Sequence, residues 1–232
     1  MMNASNLTPL ARSLALVYQP ARRVVAPTGG IIRGRFPSTK AGRMLSFEQL
    51  LERDALYLFE FCPLVVEIRE QPFRFHYSDG CKVRRYTPDF ALTLKDGSQV
   101  IVEVKPARSL ARPDIQAKIM AIQEAMKRQG YRYLILSDST IRQEPRLENL
   151  KCLHPYLRHP ISLEQRLAVR NLPGHGNPLS IEQCALSVGS FSAVLTLVAH
   201  GMLRVDYFQP IRSSSLVSLS QAEVDHALVD WL

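Results

Sequence analysis

Asp89, in the stretch RRYTPDFALTL, and Glu103 and Lys105, two residues apart in QVIVEVK, are of types and at spacings that could do chemistry. Cleaving a phosphodiester requires that charge on the phosphoryl oxygens be neutralised while a water is deprotonated and aligned behind the leaving group. A hard divalent cation held by carboxylates does both. Mg2+ takes only one or two protein carboxylates and keeps waters and substrate oxygens as its other ligands, so an Asp, a Glu and a nearby cation form a minimal site.

Such a set must be positioned by strands. Glu103 and Lys105 point to one face by the period of two, and the turn Lys95-Asp96-Gly97-Ser98 folds Asp89 back towards them. The register stays open at this level. A solvent-exposed strand face would show the same alternation of charge with Ile101, Val102 and Val104, and that is the competing reading of Glu103 and Lys105.

Around this hairpin the apolar pattern predicts a helix over Ser46–Glu60, ended by Pro63, then extended segments VVEIREQPFRFHY and KVRRYTPDFALTL joined at Ser78-Asp79-Gly80. Pro113 opens a second helix with Ile115, Ile119, Ile122 and Met126 on one stripe and Gly130 as its stop, and YRYLILSD follows as a buried strand. The predicted order is helix, three strands, helix, strand.

Beyond about Ile141 the pattern turns helical. Ser162-Leu163-Glu164-Gln165 and Ser180-Ile181-Glu182-Gln183 have the form of capping boxes, with Pro173–Pro178 as a loop between them. Helices over Ile181–Val188 and Phe191–His200 precede MLRVDYF, a serine tip and LVSL, the order of a winged helix. From Ser162 to Leu232 the cations Arg166, Arg170, Arg204 and Arg212 are outnumbered by six acids, which disfavours a phosphate-hugging helix and favours protein docking.

The whole chain, by contrast, carries 29 Lys and Arg against 21 Asp and Glu, a balance that favours a polyanionic partner. Before Glu48 there is no acid, while Arg12, Arg22, Arg23, Arg33, Arg35, Lys40 and Arg43 stand among prolines and glycines that break any long helix. This predicts a flexible basic arm lying along DNA phosphates, with Arg33, Arg35, Lys40 and Arg43 as contacts. The four cysteines form no C-x-x-C pair, and Cys152 with His154 and His159 fits no metal-ligand spacing. Neither a bilayer-spanning run nor a secretory start is found, so a cytoplasmic protein is expected.

The runs LLERDALYLFEF, EIREQP, RRYTPDF, DG and VEVKP, in this order, resemble TnsA, the endonuclease subunit of heteromeric transposases, over Phe36 to Asp138. The resemblance implies the α/β, restriction-endonuclease-like fold of PD-(D/E)xK nucleases, an αβββαβ core with a mixed central sheet followed by a small, mostly helical, winged-helix-like C-terminal domain. It implies domains at 1–45 (basic arm), 46–150 (nuclease core) and 151–232 (docking).

By the same resemblance Glu52 joins Asp89 and Glu103 in holding Mg2+ or Mn2+, and Lys105 is the motif lysine. Glu48 and Glu52 share a helix face, so the residues alone do not choose between them. The carbonyl of Val104 is a further hard donor. Lys105 would hold the attacking water or steady the phosphate, and both roles stay open.

Gln71, in the EQP stretch, either touches DNA or packs at a strand end. Arg84, Arg85 and Tyr86 immediately precede the acidic site, and arginine forms forked bonds to phosphate.

The implied partners are double-stranded DNA at transposon ends, a DDE-type TnsB-like transposase and a TnsC-like AAA+ ATPase regulator. The rival readings are a restriction or junction-resolving endonuclease, and an inert DNA-binding or scaffold subunit.

Overall fold

The structure, a computed structural model, describes residues 20–21, 32–172 and 178–220. Its first regular elements are β1 (Gly34–Ser38) and β2 (Arg43–Phe47), an antiparallel hairpin pairing Gly34 with Phe47 and Ser38 with Arg43. Phe36, Leu45 and Phe47 alternate towards the core, where each is at most 6% exposed. The expected arm is therefore corrected over residues 34–45: three apolar residues at period two outweigh the breaking effect of its prolines and glycines. Arg12, Arg22 and Arg23 lie outside the described residues. Ser46 and Phe47, expected to begin a helix, complete β2 instead.

Helix α1 (Leu50–Phe61) follows, with Leu51, Ala55, Leu58 and Phe59 buried at helical spacing. Its last carbonyls are met by Lys40, whose Nζ donates to Phe59 O at 2.8 Å and Cys62 O at 2.5 Å. Burial pulls the Lys40 ammonium down to about 8.

Near the same helix end, Glu60 accepts from Ser38 Oγ at 2.7 Å, Thr39 N–H at 2.6 Å and Lys40 N–H at 3.1 Å, and from the Thr39 hydroxyl. A buried carboxylate thus ties the tip of the hairpin to α1. Glu60→Ala strands these donors and is expected to cost about 3 kcal/mol, read as a lower urea midpoint at unchanged slope.

Next come β3 (Val65–Glu70), β4 (Phe75–Ser78), β5 (Val83–Tyr86), β6 (Phe90–Leu94) and β7 (Gln99–Val104). Each of the two long extended runs breaks in the middle. Gln71 takes φ 45° just before Pro72, and Pro88, which has no N–H to give a ladder, separates β5 from β6. The outer pieces β4 and β5 pair with each other as a separate ribbon.

The inner pieces join β8 (Arg132–Leu136) in a mixed sheet of order β3-β6-β7-β8, antiparallel except for the parallel β7–β8 pair. Between β7 and β8 run α2 (Ala107–Leu110) and α3 (Pro113–Arg128), the crossover that a parallel pair requires. The result is a mixed α/β fold.

The remaining described helices are α4 (Asp138–Ile141), α5 (Arg146–Leu153), α6 (Leu163–Arg170), α7 (Ile181–Val188) and α8 (Phe191–Ala199), with a 3-10 turn at His154–Arg158 after α5. Ser162 and Ser180 each form both bonds of a capping box. Gly189, at φ 103°, ends α7 in the left-handed region, where a side chain would be strained. Strands β9 (Leu179–Ser180), β10 (Leu203–Val205) and β11 (Leu216–Leu219) form a small sheet of order β10-β11-β9.

The expected boundary at 150/151 falls inside α5. One continuous core runs from Leu51 of α1 through Leu150 and Leu153 to Val194 and Leu197 of α8. Asn149 reinforces it, its Nδ2 donating to Tyr207 O and Gln209 O at 2.8 Å each. His154 is buried, with its Nε2 3.0 Å from Pro37 O and its ring against Phe36 and Tyr57. Among the described residues no single helix is long and apolar enough to cross a membrane, and the apolar α7–α8 pair bends by 102°.

Candidate active site at the edge of the mixed sheet

The two faces of the sheet bury different residues. Phe90, Leu92, Val100, Val102 and Val104 enter the main core beneath α1, while Ala91 and Ile101 pack with Ile122 and Met126 of α3. The β6–β7 register ends at Phe90 opposite Val102, and carried one residue further it sets Asp89 opposite Glu103. Directly opposed residues of an antiparallel pair project to one face, with Cβ atoms roughly 5 Å apart. Lys105 lies two residues on, on the same face.

The polar contacts agree with this register. Asp89 Oδ2 accepts from Val104 N–H at 2.8 Å, so the amide of Val104 looks towards the Asp89 side. An extended residue directs its N–H and C=O to the same edge, and the next register partner there is Pro88, which has no N–H to offer. The Val104 carbonyl is thus directed at the acidic edge. Lys105 Nζ lies 2.8 Å from Glu103 Oε1. Its own N–H bonds Leu136 O at 2.9 Å, pinning the strand end to β8.

Glu52, in the first turn of α1, accepts from the Glu48 N–H at 2.7 Å. Burial pushes its carboxyl up to about 7, with Glu48 adding to the rise and Lys105 opposing it. Asp89 is raised well above the usual carboxylate range, first by burial and then by the charges of Glu103 and Glu52, against the pull of Lys105. Burial works against the Lys105 ammonium, but Glu103, Asp89 and Glu52 outweigh it and hold the proton more tightly than usual. Glu52, Asp89, Glu103 and Lys105 therefore share one electrostatic field.

Among the described residues no three His, Cys, Asp or Glu side chains are gathered as a ready metal cage. Both oxygens of Glu103 are engaged, one by Lys105 and the other by the Tyr86 hydroxyl at 2.5 Å. Asp89 and Glu52 each give one oxygen to a backbone N–H. The oxygens left, with the Val104 carbonyl, are hard donors of the kind Mg2+ accepts when one or two carboxylates suffice.

Tyr86 corrects the sequence reading. Expected to face phosphate beside Arg84 and Arg85, its hydroxyl turns inward to Glu103 and stands 3.2 Å from the Tyr133 hydroxyl. Burial and then the Glu103 charge push the Tyr86 hydroxyl far up, so it stays a donor. The one signal available was its place at the end of an alternating strand, where Phe75, Tyr77 and Tyr86 make an inward row. For Tyr133 the sequence held no signal.

The residues expected at DNA do not gather with the acids as a group. Lys40 is spent on α1, and Arg43 forks onto Glu70 at 2.8 and 2.5 Å. Arg33 is half-buried before β1, and Arg35 is exposed on β1 opposite Ser46. Arg84 meets Asp79 at 2.5 Å, and Arg85 is exposed.

Gln71 is buried. Its N–H bonds Asp89 O at 2.8 Å, and its Oε1 has no partner among the described residues. Left-handed backbone at a non-glycine residue beside an acidic cluster is strain of the kind that collects at functional sites.

Asp89, just before β6, thus meets the end of β7, where Lys105 pairs with Glu103. Residues 62–138 match the family described as TnsA-like endonuclease N terminal. The match covers about a third of the 232 residues, taking in Asp89, Glu103 and Lys105 but not Glu52. A comparison with curated proteins returns no match. The TnsA-like segment supports a nuclease, and the mixed α/β fold is compatible with one.

Proposed function

We propose that this chain is a metal-dependent DNA endonuclease that cuts phosphodiester bonds at the 5′ ends of a transposon, as one subunit of a heteromeric transposase. The observation that carries the reading is the bond from the Val104 N–H at the end of β7 to Asp89, just before β6, with the Lys105 ammonium on Glu103, inside the TnsA-like segment. Asp89, Glu103, Glu52 and the Val104 carbonyl would hold Mg2+ or Mn2+, which when bound neutralises phosphoryl charge and acidifies a water. Lys105, kept protonated by three neighbouring carboxylates, acts as a donor that orients the water and the scissile phosphate. Gln71 holds the Asp89 backbone, its N–H donating to Asp89 O at 2.8 Å.

The region from Ser162 to Ser220 reads as a winged-helix module on its helix order and the β10-β11-β9 sheet. Counted on to Leu232, where Glu223, Asp225 and Asp230 bring the acids to six against four arginines, this part of the chain suits docking of a TnsC-like ATPase, while a TnsB-like transposase would act on the other strand. The test is nicking of plasmid and transposon-end DNA with Mg2+ or Mn2+, with and without the partner transposase. Wild type is expected to nick and Asp89→Asn to fail; equal activity in the two overturns the assignment.

Tyr86→Phe removes the hydroxyl that orients Glu103 and leaves the ring in place. Outer-shell partners of this kind are worth roughly 10–100-fold. We expect Mn2+ affinity by calorimetry, and nicking, to fall at least about tenfold, with an unchanged far-UV spectrum.

A further inference from the structure

The ribbon of β4 and β5 is a two-sided element whose outer side the catalytic reading does not use. Its ladder pairs Phe75 with Tyr86, His76 with Arg85, Tyr77 with Arg84 and Ser78 with Val83. Phe75, Tyr77 and Tyr86 turn inward, each at most 6% exposed, against Ile122 and Met126 of α3. The alternate positions His76, Ser78, Val83 and Arg85 are exposed, as are Arg74 just before β4 and Lys82 just before β5.

From Arg74 to Tyr86 the sole acid is Asp79, and Arg84 already neutralises it. The outer surface is left with the cations Arg74, Lys82 and Arg85, beside His76 and an apolar Val83 that is 72% exposed.

We propose that this outer ribbon face, formed by Arg74, His76, Val83 and Arg85 with Lys82 at its tip, lies in the major groove of duplex DNA beside the cut and positions the scissile phosphate. The inference rests on the nuclease reading above. The major groove of B-DNA is wide enough to admit a two-stranded ribbon, and the alternation of a strand lets one side hold the protein while the other enters the groove. Arginines fork onto phosphate or guanine edges, and an exposed aliphatic such as Val83 suits a thymine methyl.

Duplex is favoured over single strands because the ribbon's Phe75, Tyr77 and Tyr86 rings are turned inward, leaving His76 as the one ring on the outer face and no row of rings on which successive unstacked bases could pile. A-form RNA is disfavoured because its major groove is too narrow for side chains to read.

The covalent connection sets the distance. Arg85 precedes Asp89 by four residues, so an extended chain separates their Cα atoms by at most roughly 13 Å. At about 3.4 Å per base pair that is about four base pairs, placing the ribbon's contacts on the sequence flanking the cleaved bond. The same chain segment carries Tyr86, whose hydroxyl donates to Glu103, so the ribbon is tied by a hydrogen bond to the catalytic carboxylates.

The experiment titrates the full chain, without divalent metal, against a fluorescent duplex and its single strand over a series of NaCl concentrations. It compares wild type with Arg74→Ser/Lys82→Ser/Arg85→Ser, and with a matched control, Arg166→Ser/Arg170→Ser/Arg212→Ser. The ribbon variant is expected to bind duplex at least tenfold more weakly at physiological salt, with a salt slope shallower by about two, since each phosphate contact contributes about 0.9. The control should stay within twofold of wild type.

A ribbon variant within twofold of wild type overturns the proposal. So does an equal loss on single strand and duplex, or an equal loss in the control; retained DNA binding with lost transposase binding would assign the face to a protein instead. Nicking by the ribbon variant at saturating protein keeps the two readings apart. A ribbon variant that binds like wild type while wild type nicks leaves the nuclease standing without the ribbon; the expected binding loss with a wild type that never nicks does the reverse.

Discussion

Asp89→Asn is expected to lower metal-dependent nicking by on the order of 10³-fold, because the stabilisation that a ligated cation gives a phosphoryl transition state is worth several kcal/mol and each 1.4 kcal/mol is tenfold. The substitution keeps the shape of the side chain and an oxygen that can accept the Val104 N–H now bonded at 2.8 Å. Fold and strand register should therefore survive. Single-turnover cleavage of a transposon-end duplex measures the loss, and circular dichroism with thermal melting verifies the fold. Activity within tenfold of wild type, in a melted-and-verified sample, removes Asp89 from the centre of the chemistry.

The second large effect is on stability in the absence of metal. Glu52 is raised to about 7 and Asp89 is raised well above its usual range, in both cases chiefly by burial. In the unfolded chain these groups titrate near 4.3 and 3.9. Between those values and the folded ones the native state binds more protons than the unfolded state, so stability falls as pH rises through this window.

Glu52 alone, shifted from 4.5 to about 7, would carry about 3 kcal/mol across it. The metal-free chain should melt at lower temperature at pH 8 than at pH 5. Asp89→Asn should flatten that slope and melt higher than wild type at pH 8, since it removes one of the mutually repelling charges. Millimolar Mg2+ should recover stability in wild type, by about 2.7 kcal/mol at a hundred times its dissociation constant, and not in Asp89→Asn. A wild-type melting temperature that is flat or rises from pH 5 to 8 would show that the carboxylates are not forced together.

Much of the candidate site was readable in the chain because its logic is local. The period of two put Glu103 and Lys105 on one face, and the Lys95–Ser98 turn required β6 and β7 to be neighbours, as the structure has them. Both capping boxes, the Gly189 break and the stripe of α3 formed where residue types three and four apart demanded them. These interactions join residues close in sequence, and their geometry follows from backbone stereochemistry alone.

The departures from the sequence reading come from distant contacts and from two local breaks in the backbone. The basic residues at 33–43 looked like a solvated arm, yet Phe36, Leu45 and Phe47 found a core to enter; Lys40 found the carbonyls ending α1, and Arg43 found Glu70. Two extended runs each looked like one strand, and the left-handed turn at Gln71 and the missing N–H of Pro88 split them into sheet and ribbon.

By itself, the sequence determined which side chains travel together on a strand or a helix, and so which acids and which lysine could share a face. Only the tertiary structure decided that Asp89 meets the Val104 N–H at the end of β7, that the Tyr86 hydroxyl donates to the second Glu103 oxygen, and which cations are left for a partner. The physical reason is that periodicity is written in neighbours, whereas register, burial and ion pairing depend on which distant surface offers the larger gain when the chain closes on itself.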